Sequence, residues 1–184
     1  MRVPVLAIAI LLAPALASAQ STIRQAGVHE RPADFSLLLF LPFPFGFGGG
    51  ARVGIPVAHD GFIGGVNDAV FVEPGFQFLI WSGFDQSIVG VQVPVLMRWD
   101  FFLTRDWTVF GSVGPVFGFY FDDRGGGRGG NFKVHGDGIF SPGGAPGFFG
   151  ITLGGGAFYN FAPGSALRLD ASTGMLGVGL VWKF

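Results

Sequence analysis

The stretch IVGVQVPVLMRWDFFL, Ile88 to Leu103, decides how the rest of this chain is read. Large apolar residues fill every odd position: Val89, Val91, Val93, Val95, Met97, Trp99, Phe101 and Leu103. The even positions include Gly90, Gln92, Arg98 and Asp100. A period of two is the signature of a strand, because successive side chains point to opposite faces of a sheet, whereas a helix would scatter Arg98 and Asp100 over its apolar surface. The length suits a tilted strand crossing a bilayer, for which about 9 to 11 residues suffice.

The same rhythm runs in both directions from this segment. Trp107 to Phe121 alternates, with Phe110 and Val116 blurring the smaller face, and so does Phe149 to Phe161, interrupted at Phe148 and Phe158. Leu167, Leu169 and Ala171 oppose Arg168, Asp170 and Ser172. The chain closes on LGVGLVWKF, where Leu176, Val178, Leu180, Trp182 and Phe184 share one face and Gly177, Gly179, Val181 and Lys183 the other. That is the reverse of a soluble core strand, whose outer face carries polar residues able to meet water. Toward the front, Ala51, Val53, Ile55 and Val57 alternate with Arg52, Gly54 and Pro56, and Val72, Phe76, Phe78 and Ile80 with Glu73, Gly75 and Gln77. These segments make seven. Single-chain bacterial barrels use even strand numbers, so Phe35 to Leu41, whose alternation is poor, is the candidate eighth. A six-strand alternative, with Ala166 to Phe184 as one strand and Phe35 to Leu41 outside the barrel, stays open at this level.

Composition agrees with a chain that avoids water on one side. Hydrophobic residues make up 49% of the 184 and charged residues 12%, about half the charged share of soluble domains. With 33 Gly and 12 Pro, long helices are disfavoured. The uncharged stretch from Gly138 to Leu167 is crowded with glycine and broken by Pro142, Pro146 and Pro163, so it is no spanning helix. Lipid admits only helices and closed barrels, because both satisfy every backbone polar group internally. The expected fold is therefore all-β: a closed antiparallel transmembrane β-barrel of eight strands. A net charge of −1 supplies no basic excess for nucleic acid, and zero cysteines exclude disulfides and thiolate metal sites.

At the front, Arg2, the apolar run Val3 to Leu16 and the small tripeptide Ala17-Ser18-Ala19 read as a secretory signal cleaved before Gln20. The expected organisation is a signal peptide at 1–19, an N-terminal periplasmic segment at 20–34 and a barrel at 35–184 with a long Gly-rich loop at 122–147.

The signal peptide, the strand rhythm, the aromatic strand ends and the final L-x-V-x-L-x-W-x-F together resemble the small outer-membrane β-barrels of Gram-negative bacteria, the OmpA-transmembrane-domain and OmpX class. The resemblance implies residence in the outer membrane, outer-membrane lipids and lipopolysaccharide as neighbours, and recognition by the barrel-assembly machinery through Leu176, Val178, Leu180, Trp182 and Phe184. It also implies both mature termini in the periplasm, with turns at Thr104 to Asp106 and Ala162 to Ser165 on that side and Asp122 to Gly147 extracellular.

If the large apolar sets face lipid, the minority sets face the interior. Arg52, Glu73, Arg98, Asp100, Arg168 and Asp170, with Gln77 and Gln92, are then lumen residues. Three basic and three acidic groups predict a self-neutralising plug, since buried charges persist when paired and hydrogen-bonded. An eight-stranded barrel is just wide enough for its own side chains, so no continuous pore is expected. Some barrels of this class modify lipid A with a His, a Ser and an acidic residue; here the clustered candidates are His135, Asp137 and Ser141, in a segment too glycine-rich to hold a general base in place. His29 and His59 lie outside the strong strands. GGGRGG lacks the Lys-Ser/Thr ending of a phosphate loop, while Arg124, Arg128 and Lys133 near it are candidates for touching lipopolysaccharide. The expected function is a non-enzymatic envelope protein, structural or surface-interacting, with no cofactor, no metal and no nucleic acid, and monomeric. The alternatives are a lipid-modifying barrel and a secreted soluble β-protein.

Overall fold

A computed structural model of the chain describes residues 23–24, 31–43, 46–83, 86–122, 132–133 and 149–184. The expected signal segment, His29 and most of the 122–147 interval, with Arg124, Arg128, His135, Asp137 and Ser141, lie outside the described residues.

Among the described residues nine strands follow in chain order: β1 (Asp34–Pro42), β2 (Gly46–Ala58), β3 (Asp68–Gly83), β4 (Gln86–Phe102), β5 (Trp107–Asp122), β6 (Phe132–Lys133), β7 (Phe149–Ala162), β8 (Ser165–Ser172) and β9 (Met175–Lys183). β6 is a two-residue ribbon paired with β5 at Tyr120 and Phe121. The remaining eight form a meander in which every pairing is antiparallel, and β1 returns to pair with β9 from Asp34↔Lys183 to Pro42↔Met175. The sheet closes on itself. Closure removes both edges, which would otherwise present unpaired N–H and C=O groups to the surroundings.

Reversal at each hairpin puts the connections 59–67, 103–106 and 163–164 at the end where β1 begins and β9 finishes, and the turn 173–174, with the end of β5 and the start of β7, at the other. Local chemistry makes the short ones. Pro163 and Gly164, with φ +75° at the glycine, have the sequence of a type II turn. Gly174, at φ +79°, lets Ser172 pair with Met175 across a two-residue turn, and the Thr173 hydroxyl donates to the Leu153 carbonyl at 3.0 Å. This hairpin removes the six-strand alternative. At 103–106 the Thr104 hydroxyl accepts from the Asp106 and Trp107 amides at 3.2 and 2.9 Å.

Residues point alternately outward and inward. The outside carries Leu37, Leu39 and Leu41 of β1 and Leu176, Val178 and Leu180 of β9, all exposed. Trp107 packs on Tyr159 at 5.0 Å, Phe35 on Trp182 at 6.1 Å and Trp99 on Phe101 at 5.1 Å, all near the chain-terminal end. This is the arrangement of an aromatic girdle at a membrane interface.

β1 explains why its alternation read poorly. Ser36, Leu38 and Phe40 point inward, and Leu38 and Phe40 form an apolar cluster with Leu79, so both faces of the strand are apolar in this region. The space for Phe40 comes from the facing strand: a Cβ on Gly177 would lie 3.0 Å from the Phe40 ring, and one on Gly179 would strike the Leu37 carbonyl. Two expected boundaries move. Asp34 is the first residue of β1 and not part of a preceding segment, and Asp122 is the last residue of β5 and not the start of a loop.

Candidate functional site in the barrel lumen

Glu73, on β3, is the centre of the lumen and has no exposed surface. Three arginines from three other strands converge on it. Arg168 of β8 donates from both terminal nitrogens, at 2.8 Å each, in a fork-to-fork pair. Arg52 of β2 donates at 3.3 Å, and Arg98 of β4 donates to the second carboxylate oxygen. A single carboxylate would leave so much positive charge uncompensated, and further acids complete the set. Asp100 accepts from Arg98 at 2.9 and 3.1 Å, Asp170 accepts from Arg168 at 2.9 Å, and Arg52 reaches Asp170 at 3.2 Å. The two short-range pairs, Arg98 with Asp100 and Arg168 with Asp170, sit two residues apart on one strand, which puts both side chains on the same face.

The structure brings all six charged residues of the sequence reading into one connected, buried network. It adds a seventh. Asp34 accepts from Arg98 at 2.6 and 3.3 Å, making the described network four carboxylates against three guanidinium groups. Asp34 lay outside the expected barrel because no alternation precedes it. Ser36 also joins, accepting from Arg168 at 3.2 Å. At the other end of the network, Arg52 donates to Gln77 at 3.4 Å, and the Gln77 amide bonds to Gln92.

Aromatic rings line this charge. Phe110 and Phe158 stack at 4.9 Å and are buried, with the Arg168 guanidinium 4.9 Å from the Phe110 centroid and the Arg98 guanidinium 5.0 Å from the Phe158 centroid. Both guanidinium groups thus lie within cation–π range. Phe71 stands 4.4 Å from Arg98 and Phe40 5.4 Å from Arg52. Of these inward aromatics, Phe110 and Phe158 interrupt the alternation of β5 and β7 in the sequence. A period-two test scores them as defects, whereas a large apolar residue opposite a buried arginine is itself a usable signal. Among the described residues the unsatisfied polar atoms of the lumen are Arg52 Nε and Thr108 Oγ1.

At the chain-terminal mouth, Arg31 reaches across from the segment before β1. Its guanidinium lies 3.7 Å from the Phe102 centroid and donates to Asn67, while its backbone amide donates to His59 Nδ1 at 3.0 Å. Desolvation lowers the Arg31 pKa below its ordinary value against the opposing pull of Asp100, Asp60 and Asp68; an arginine stays charged regardless. Asp68 accepts from the Trp99 indole at 2.6 Å. The His59 nitrogen is therefore occupied by a structural bond. Among the described residues no group of three or more His, Cys, Asp or Glu is arranged to hold a metal. Each lumen carboxylate accepts from at least one guanidinium, an arrangement that fixes side chains and holds strands in register.

The terminal residues Leu176, Val178, Leu180 and Trp182 all project outward from β9, and Phe184 follows the strand end, its amide donating to the Ala33 carbonyl at 2.9 Å.

No known protein family matches the sequence, and no curated protein does. Among solved structures, the fold is similar to the N-terminal β-barrel domain of Pseudomonas aeruginosa OprF, at 14% identity and a TM-score of 0.50, over 84% of this chain and 98% of that one. Neisserial surface protein A (NspA) gives 13% identity and a TM-score of 0.49 over 83% and 94% of the two chains. Ail, the attachment invasion locus protein of Yersinia pestis, gives 11% and 0.47 over 84% and 100%. The OprF likeness, joined to the closed meander and the apolar outer wall, defines the class: the chain has the fold of a small outer-membrane β-barrel.

Proposed function

We propose that this barrel works in the outer membrane of a Gram-negative bacterium as a non-enzymatic envelope protein, structural or surface-interacting, with a lumen plugged by its own side chains. The observation that carries this reading is the convergence of Arg52, Arg98 and Arg168 on Glu73 across the barrel interior. A set of mutually neutralising, hydrogen-bonded charges positions strands; it presents no nucleophile with a free base. The partners that fit are outer-membrane lipids along the wall, lipopolysaccharide at the end bearing 123–148, and the barrel-assembly machinery at β9, with the protein monomeric and no nucleic acid involved.

The test is outer-membrane fractionation combined with gel mobility before and after boiling, with lipid A composition read by mass spectrometry in cells with and without the gene. The expected result is outer-membrane recovery, faster migration unboiled and unchanged lipid A. A protein wholly in the soluble periplasm would overturn the placement, and altered lipid A would overturn the non-enzymatic reading.

A further inference from the structure

Above the Gln77–Gln92 pair, at the end of the barrel away from the chain termini, the lumen opens into a cavity of about 260 Å³. The floor is Arg52, Gln77 and Gln92, and Leu96, Val116 and Met175 supply apolar lining. Between Val116 on β5 and Met175 on β9 stand the hydroxyl groups of Thr152 on β7 and Ser172 on β8, with Ser172 the register partner of Met175.

These elements differ in how much hydrogen bonding they have left. Arg52 is engaged by Glu73, Asp170 and Gln77, and Gln77 bonds to Arg52, Gln92 and Met175. Thr152 and Ser172 make no side-chain hydrogen bond to another described residue and line the cavity. Each hydroxyl can donate and accept. Among the described residues, charge selects against ions: the one guanidinium on the floor is already paired, no carboxylate lines the space, and the network beneath has one more acid than base, so the described lining offers an anion no free cation. Apolar lining with a few polar groups among it is the usual composition of a small-molecule site.

We infer that this vestibule binds a neutral hydroxylated molecule about the size of one sugar ring, its hydroxyls on Thr152 and Ser172 and its C–H face on Leu96, Val116 and Met175. The inference goes beyond the proposed function and does not depend on where the barrel resides, because binding is measured on the refolded chain.

Methionine methyl groups supply the readout. Met175 lines the cavity, and Met97, exposed on the outer wall, is a built-in control. The full chain, refolded in detergent with ¹³C-methyl methionine, is titrated with methyl β-D-glucopyranoside and, separately, with the glucuronate anion. The expected result is a saturable shift of Met175 with the glucoside, none at Met97, and binding weaker by about tenfold or more for glucuronate and for the double variant Thr152→Val, Ser172→Ala. Both substitutions are near-isosteric, and an unchanged Met97 signal with faster unboiled gel migration reports that the variant folds. A Met175 signal that does not move, moves without saturating, responds equally to glucuronate or is indifferent to the double variant would overturn the inference and mark the vestibule as filled by water only.

Discussion

Leu38 and Leu39 are consecutive on β1, yet Leu38 packs inside against Phe40 and Leu79 at 3% exposure, while Leu39 stands on the outer wall at 68%. The same split runs around the barrel. Outside are Leu, Val, Ile, Phe and Trp; inside, around Glu73, are three guanidinium groups and four carboxylates held by named hydrogen bonds. The difference teaches where specificity resides. A lipid-facing side chain needs only to be apolar, because acyl chains adapt to its shape. A lumen charge needs its particular partners, because a buried charge without one is costly. Substitutions in the lumen should therefore cost more than equally large ones on the wall.

The largest effect is expected for Glu73→Leu, which leaves Arg52, Arg98 and Arg168 without their shared acceptor. Loss of one member of a buried ionic set costs on the order of 3 to 5 kcal/mol, so the variant should refold poorly in detergent or unfold at much lower urea. Wild-type stability would mean that the lumen is hydrated and the comparison empty. Next comes Arg98→Met, which removes the partner of Asp34, Glu73 and Asp100 together and should exceed Asp100→Leu, which removes one acceptor of several. Because Asp100 bonds to Arg98 among the described residues, adding Asp100→Leu to Arg98→Met should recover part of the loss. Urea midpoints of the two single variants and the double variant check the order; additive losses would deny the coupling.

Those pairs show how far the sequence could be read. The alternation of β4 and β8 placed Arg98, Asp100, Arg168 and Asp170 on the inner face, and the structure assembles them there. Which acid meets which arginine was not legible, because partner choice depends on the stagger between strands, and no sequence period encodes it. Asp34 was missed for a related reason: β1 turns Leu38 and Phe40 inward, so its two faces look alike in composition. Phe110 and Phe158 read as blemishes in β5 and β7 because hydropathy alone separates lipid-facing from water-facing positions. It has no category for a ring beneath a buried guanidinium.

A smaller effect tests the wall itself. Leu39→Lys puts a charge on the lipid face and should cost up to about 2 to 4 kcal/mol, depending on depth, while Leu39→Ile should be nearly neutral; equilibrium unfolding of both in the same lipid or detergent distinguishes them. Equal stability of all three proteins would indicate that this face meets water. The smallest effect sharpens the lumen side. Phe158→Leu keeps apolar bulk but removes the ring over Arg98 and the stack on Phe110, a loss of about 1 to 2 kcal/mol. A cost larger than that of Arg98→Met would show that packing, and not charge pairing, dominates the interior.

The most direct test of the inside-out arrangement is a nuclear Overhauser measurement between protein methyl groups and acyl chains on methyl-labelled protein in lipid nanodiscs. Leu37, Leu39 and Leu180, exposed on the wall, should show cross-peaks to acyl-chain protons, while Leu38, Leu79 and Leu96, buried in the lumen, should show none. Acyl-chain contacts from Leu38, Leu79 and Leu96, or water contacts from Leu37, Leu39 and Leu180, would contradict it.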